Sequence, residues 1–464
     1  MVKEEQIEAI VREVLRRIDR EDIKLNEDKH QLGVFDKMED AIEAAKDAFE
    51  KFSNMTLEDR ERFISEIRKA TLENARVLAE MGVKETGMGK VEHKVLKHQL
   101  VAKKTPGTED LKTQAWSGDK GLTLVEMAPF GVIGAITPST NPSETIICNS
   151  IGMIAAGNAV VFSPHPGAKR VSNFAVDMIN RAIIRAGGPE NLVVSIKEPS
   201  INTTNAMIKH PDVKLLVATG GPEIVKIVLS SGKKAIGAGA GNPPVVVDET
   251  ADIKKAAKDI IDGCTFDNNL PCIAEKEVIA VEKIYRDLLD EILKQGVYKL
   301  NALQISKLEN LVLMDGKLNK KLVGKDAKVI LDQIGINVSD DIRCIICETD
   351  EDHPFVMEEL MMPILPIVKA KNIDDAIRIA VKAEKNNRHT AHIHSKNIDN
   401  ITRYAKAINT TILVKNAPSY AGIGFGGEGF TTFTIAGPTG EGLTSAQTFT
   451  RMRRCVLADG LRII

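Results

Sequence analysis

Cys272 closes the stretch Phe266-Asp267-Asn268-Asn269-Leu270-Pro271, a polar, turn-prone run that follows the helical pattern of Ile253 to Cys264. A thiol in such a turn can be reached by a substrate, and it becomes a nucleophile when helix amides or a nearby cation stabilise its thiolate. No obvious helix follows Cys272, but Lys276 stands close by in sequence. Set against this, a cysteine taken singly is more often a small buried hydrophobe than a nucleophile. Asn141, in Ser139-Thr140-Asn141-Pro142-Ser143, carries an amide that could hold an oxyanion, although a turn ahead of proline is the plainer reading of the pentapeptide. Lys214 to Glu223 reads as a strand, a glycine turn at Thr219-Gly220-Gly221 and a helix with Pro222 in its first turn. That geometry aims free amides at a pyrophosphate, but many strand-to-helix turns contain glycine without binding anything.

Other groupings are weaker. Cys344-Ile345-Ile346-Cys347 has CxxC spacing, yet it lies in an alternating strand pattern where residues three apart face opposite sides. No second CxxC exists to complete a zinc site. His392 and His394 share one face of a strand and His389 does not, so the three read as core or pocket-lining residues and no metal is expected. Glu358-Glu359 has the look of a surface acidic pair at a helix end. The run Gly422 to Gly429 is either a flexible loop or a pocket wall kept bare for a ligand.

These residues need elements to position them. From Phe130 to Ala240, short apolar runs alternate with helix-length segments, the pattern of βαβ units around a parallel sheet. Strands are expected at Val132 to Thr137, Ala159 to Ser163, Leu192 to Ile196, Lys214 to Ala218 and Lys234 to Gly237, forming a doubly wound domain that binds ligands at the carboxyl ends of its strands. A second α/β region has strands expected at Val245 to Asp248, Glu277 to Val281, Ile342 to Cys347, Leu365 to Val368, Ala391 to His394 and Thr411 to Val414. At the N-terminus Ile7, Ile10, Val11, Val14, Leu15 and Ile18 form one helical stripe opposite a charged face, and residues 19–31 read as a polar tether.

The 464 residues favour two or three domains. Lys plus Arg (62) nearly balances Asp plus Glu (64), so no overall field would draw in nucleic acid or an anionic membrane. Aromatic residues, 4% of the chain, do not interleave with basic ones as a single-strand stacking platform requires. The six cysteines are spread too thinly for a disulfide scaffold, which fits a reducing cytosol. No run resembles a signal peptide or approaches the ~20 apolar residues of a membrane span.

Several long motifs occur in order along essentially the whole chain: ETGMGK (85–90), PFGVIGAITPSTNP (129–142), GNAVVFSP (157–164), GAGAGNPP (237–244) and NNLPCIAEK (268–276). The set resembles the aldehyde dehydrogenase superfamily. More narrowly, NPSETI, SPHPGAK, GAGAGNPPVVVDETAD, SYAGIGFGGEGFTTFTIAGPTGEG and RMRRCVL resemble the CoA-acylating propionaldehyde and acetaldehyde dehydrogenases of bacterial microcompartments.

The resemblance implies an α/β fold with a Rossmann-type dinucleotide-binding domain (residues 32–110 and 128–243), an α/β catalytic domain (244–430) and a small β extension for oligomerisation (111–127 and 431–464). It implies Cys272 as the nucleophile, with the Asn141 side chain and the Cys272 amide holding the oxyanion, a contribution of about 3 to 4 kcal/mol to the barrier. Thr137, Pro138, Ser163, His165, Pro166, Thr219, Gly220 and Gly239 are implied as cofactor-binding, and Glu359 as the carboxylate on the nicotinamide ribose, with Met361 where an aromatic residue is usual. The implied cofactors are NAD, with NADP as the alternative, and coenzyme A as co-substrate.

Two departures from the hydrolytic members matter. Ser163-Pro164-His165-Pro166 stands where those enzymes carry the Lys and Ser-Glu of the adenosine ribose contacts. Gly237 stands at the position of their glutamate general base, so no carboxylate there activates water, and a second thiol, with a pKa near ~8.5, becomes the favoured acceptor. The reaction implied is oxidation of propionaldehyde or acetaldehyde to the acyl-CoA in a homodimer or homotetramer. Residues 1–18 are implied as an address, docking on a shell protein or other cargo inside a microcompartment of the bacterial cytoplasm. The rival readings are a hydrolytic aldehyde dehydrogenase and a catalytically silent scaffold.

Overall fold

A computed structural model describes residues 31–314 and 316–464. The helix expected over residues 1–18, and the tether over 19–31 apart from Gln31, lie outside the described residues.

Two parallel sheets organise the chain. The first runs in the order Val34–Phe35, Val193–Ile196, Ala159–Pro164, Val132–Thr137, Val213–Thr219, Lys234–Ala238, and every pairing is parallel. Its inner strands Val132–Thr137 and Ala159–Pro164 are buried at every residue, because helices cover both faces. Leu57–Thr86, the longest of those helices, starts at a capping box of Thr56 and Asp59 and ends at Gly87, whose φ of 66° suits glycine.

The second sheet runs Val297–Lys299, Cys344–Thr349, Ile364–Ala370, Glu277–Val281, Pro244–Val247, Thr390–His394, Ile412–Lys415, again wholly parallel. Each strand expected from sequence forms within two residues of its anticipated limits. The strands at one edge of each sheet, Val34–Phe35 and Val297–Lys299, were not anticipated, since two or three residues carry no readable alternation. Cys344 packs into the core under the second sheet and Cys347 into a third, smaller core, so the CxxC pair does face opposite ways.

Gln114–Gly118, Gly121–Pro129 and Thr450–Ala458 form a separate antiparallel three-stranded sheet. The extension expected over 431–464 is narrower than anticipated. Phe433, Ile435, Ala436, Ala446 and Phe449 pack into the first core, because their apolar side chains find cover there that a thin three-stranded sheet lacks. Among the described residues no helix is long and apolar enough to cross a membrane.

Candidate active site

The segment that carries Cys272 is held by three residues that accept an unusual backbone. Helix Ile253–Thr265 ends, and Asp267, Asn268 and Asn269 follow with φ of 50°, 55° and 67°. Asp and Asn are the non-glycine residues that tolerate this left-handed region best. All three are buried, and each side chain is anchored. Asp267 accepts from Lys90 N at 2.8 Å, Lys94 Nζ at 3.0 Å and Lys97 Nζ at 2.6 Å. Asn268 donates to Gly324 O at 3.0 Å and Asp326 Oδ1 at 2.8 Å. Asn269 donates to Cys264 O at 2.9 Å and to Glu275 O at 3.0 Å. Gly89 makes room for this, since a Cβ there would fall 2.2 Å from Asp267 Oδ1. Leu270 then packs in the third core and Ile273 in the first, so the thiol sits where the cores meet.

Cys272 is half-buried, and burial pushes its thiol up to about 12, with the Glu359 carboxylate adding to the rise. Lys276 and Lys97 pull in the opposite direction. Glu359, implied by resemblance as a ribose contact, here lies 3.8 Å from Lys276 Nζ; burial raises its carboxyl against the pull of Lys276. Gly241 touches the same segment: a Cβ there would fall 2.8 Å from Cys272 O and 2.9 Å from His389 Cγ. His389 is buried, driven down to about 4 by burial and then by Lys276, and it pairs with Thr390 Oγ1 at 2.8 Å. His392 and His394 are likewise buried on the strand Thr390–His394. Among the described residues no group of three His, Cys, Asp or Glu side chains is arranged to hold a metal ion.

Asn141 is the N-cap of the wholly buried helix Pro142–Ala155. Its Oδ1 accepts from Lys97 Nζ at 2.6 Å, while its Nδ2 has only a 3.4 Å contact with Thr140 Oγ1, so the amide keeps hydrogens to donate. Lys97 also acts electrostatically on Cys272, which ties the two candidate groups to one cation.

The implied cofactor residues gather at the carboxyl ends of adjacent strands in the first sheet. Thr137 pairs in register with Pro164, and Thr219 with Ala238. Thr137 Oγ1 is buried without a partner among the described residues, which suits a polar ligand. Pro138 follows Thr137 directly, and Gly239 follows the edge strand, its Cβ position 3.7 Å from Pro438. Ser163 Oγ pairs with Thr204 Oγ1 and Thr219 Oγ1 with Thr434 Oγ1, both at 2.8 Å. His165 Nδ1 accepts from Gly167 N, capping the turn Pro166–Ala168. Gly220 N donates to Ala238 O at 3.1 Å, and Gly221 caps helix Pro222–Leu229. Glu359 stands apart from these, beside Cys272 and Lys276. Gly237 has its Cβ direction aimed at Val225, 2.8 Å away, so the position holds no carboxylate and points into a helix.

Sequence reasoning missed Lys94, Lys97 and Asp267, whereas His389 is buried as its core or pocket-lining reading expected. The three-residue spacing of Lys94 and Lys97 puts them on one helical face, but such a pair reads as solvated. The DNN run before Cys272 was the available signal, as three successive residues suited to positive φ.

A model of the aldehyde dehydrogenase family matches residues 29–307 and 342–450. The acetylating acetaldehyde dehydrogenase EutE of Salmonella typhimurium is 46% identical over 470 residues, spanning 100% of both chains. Among solved structures, a propionaldehyde dehydrogenase from the Clostridium phytofermentans fucose utilisation bacterial microcompartment is 63% identical, covers 94% of this chain and 100% of that one, and has a TM-score of 0.93. A Rhodopseudomonas palustris propionaldehyde dehydrogenase, with bound CoA and an acylated cysteine, is 57% identical with a TM-score of 0.92, covering 93% of this chain and 99% of that one. By family match, identity and fold alike, this chain belongs to the aldehyde dehydrogenase family, in its CoA-acylating branch.

Proposed function

We propose that the protein oxidises a short-chain aldehyde, propionaldehyde or acetaldehyde, and passes the acyl group to coenzyme A through a thioester on Cys272. The Cys272 thiol gives its proton to solvent and its sulfur adds to the aldehyde carbon, so that a carbon–sulfur bond forms and the carbonyl electron pair moves onto oxygen. The Asn141 amide and the Cys272 backbone N–H receive that charge. Bound NAD, or NADP in its place, supplies the acceptor for the hydride that leaves this carbon, so that a thioester remains on Cys272. The CoA thiolate then attacks the acyl carbon and Cys272 departs as thiolate; the CoA proton goes to solvent. The carboxyl ends of the first sheet's strands, with the unpartnered Thr137 Oγ1 and the bare turn at Gly220 and Gly221, suit a dinucleotide.

The observation that carries this reading is a half-buried thiol on a hydrogen-bonded segment, together with an amide whose oxygen is taken by Lys97, a cation that also acts on that thiol, leaving Nδ2 as donor. Gly237, bare and turned into a helix, supplies no general base for water. The test is NADH or NADPH formation from propionaldehyde, with and without CoA. Strict dependence on CoA is expected, and equal turnover without it would defeat the proposal in favour of hydrolysis. A Cys272→Ala variant as active as the parent would defeat the covalent route.

Assembly and location extend the same proposal. Thr450–Ala458 is one of the two outer strands of the three-stranded sheet and exposes Met452 and Val456 at 74% and 64%. An open apolar edge of this kind suits pairing with a second copy, as homodimer or homotetramer, and sedimentation of a Met452→Lys variant tests it by loss of the assembly. Residues 1–18, an amphipathic stripe in sequence, are proposed as the address that docks on a shell protein or other cargo within a microcompartment of the bacterial cytoplasm. Deleting them is expected to spare turnover and abolish packaging.

A further inference from the structure

Lys97 has 1% of its side chain exposed, and its ammonium reaches three oxygens: Asn141 Oδ1 at 2.6 Å, Asp267 Oδ2 at 2.6 Å and Glu144 Oε1 at 2.8 Å. The contact to Asn141 is a hydrogen bond and those to Asp267 and Glu144 are ion pairs, so one amide oxygen and two carboxylates surround the ammonium. Lys94 joins at 3.0 Å from Asp267, giving two buried cations and two buried carboxylates with no net charge. A core gains little stability from such a cluster, because apolar side chains of the same volume would fill the space as well or better. Its geometry does something stability does not require. With an ammonium on one end, the Asn141 side chain cannot turn over, since that would press an NH2 group against a cation. The carbonyl oxygen stays on Lys97 and Nδ2 stays free. A cation on the carbonyl oxygen also polarises the amide and strengthens its N–H as a donor.

We propose that Lys97, clamped by Asp267 and Glu144, is a positioning residue that fixes and charges the Asn141 amide as the oxyanion donor. The proposal rests on the reading of Asn141 given above. Burial opposes the charge on Lys97, but Asp267 and Glu144 outweigh it, and the ammonium is held above its ordinary value. Glu144 is resisted by the same burial and is nonetheless pulled down to about 2, first by Lys97. Sequence separation hides the device: Lys97 precedes Asn141 by 44 positions.

A double-mutant cycle on the full chain tests it, read by the single-turnover rate of NADH formation at saturating aldehyde and by KM for the dinucleotide. Lys97→Met alone would leave a carboxylate uncompensated, so the cycle uses Lys97→Met with Glu144→Gln, which keeps Lys94 and Asp267 balanced; thermal melting verifies its fold. Asn141→Ala is expected to slow the step by about 10²- to 10³-fold. The charge-balanced pair should slow it at least tenfold with KM for the dinucleotide unchanged, and in the Asn141→Ala background it should cost less than about threefold more. Multiplying losses, or a balanced pair as fast as the parent, would overturn the role of Lys97. A parent-like rate for Asn141→Ala alone would instead overturn the oxyanion reading, a separate result. If the balanced pair fails to fold, Glu144→Gln alone must retain the rate, since the two other contacts still hold the ammonium; a loss as large as that of Asn141→Ala would overturn the clamp as drawn.

Discussion

Lys276 donates to Asn269 Oδ1 at 2.7 Å and to Asn269 O at 3.1 Å, closing residues 269–276 into a ring that has Cys272 at its middle. The ring is fastened a second time by Asn269 Nδ2 on Glu275 O. A nucleophile must hold its place within a fraction of an ångström to attack along the productive line, and a lysine and an asparagine fix both ends of the segment that bears Cys272, the nucleophile proposed above.

Asn269→Ala is expected to destabilise the fold by about 2 to 4 kcal/mol, because alanine tolerates positive φ less well than asparagine and because buried partners are left unpaired. Denaturant unfolding measures this. Asn269→Gly, which loses the same side-chain bonds but accepts positive φ readily, should cost less; equal costs would mean that this conformational advantage is negligible.

Gly241→Ala should cut turnover by more than about tenfold, because the new methyl must displace either the Cys272 main chain or the His389 ring. Steady-state kinetics with propionaldehyde checks it, and an unchanged kcat would show that the segment yields freely.

The Cys272 thiol, pushed up to about 12 by burial and then by Glu359, is protonated at neutral pH in the protein without its ligands. Its alkylation by iodoacetamide should therefore quicken about tenfold per pH unit from pH 7 to 10 without levelling. Glu359→Gln removes the neighbouring negative charge and should move the profile to lower pH. A plateau below pH 9 in the parent would contradict the geometry.

Glu275 is buried with Oε1 on Ser419 N at 2.8 Å, and burial lifts its carboxyl from 4.5 to about 8 against the pull of its hydrogen bonds and Lys276. Below 4.5 both the folded and the unfolded chain hold the proton. Between 4.5 and about 8 the unfolded chain releases it while the folded one keeps it, so stability falls as pH rises and the loss is complete above about 8. Glu275→Gln, permanently neutral, should melt higher than the parent by a margin that grows from pH 5 to pH 8. Scanning calorimetry at several pH values reads it; a constant margin would place the proton elsewhere.

The alternation of apolar runs with turn residues determined both sheets, because parallel strands buried on two faces must be apolar along their length and must be bounded by chain-reversing residues. Long motifs likewise pointed to Cys272 and Asn141 as the reacting pair. Tertiary structure alone decided how that pair is supported. Lys94 and Lys97 on an isolated helix would face water; folding the Asp267 loop against that helix, across 173 positions from Lys94, removes the water and leaves the carboxylates as their partners. The short edge strands, the apolar segment 431–449 and the nearness of Glu359 to Cys272 follow the same rule. Each depends on which surfaces meet once the chain is folded, and local periodicity carries no record of that.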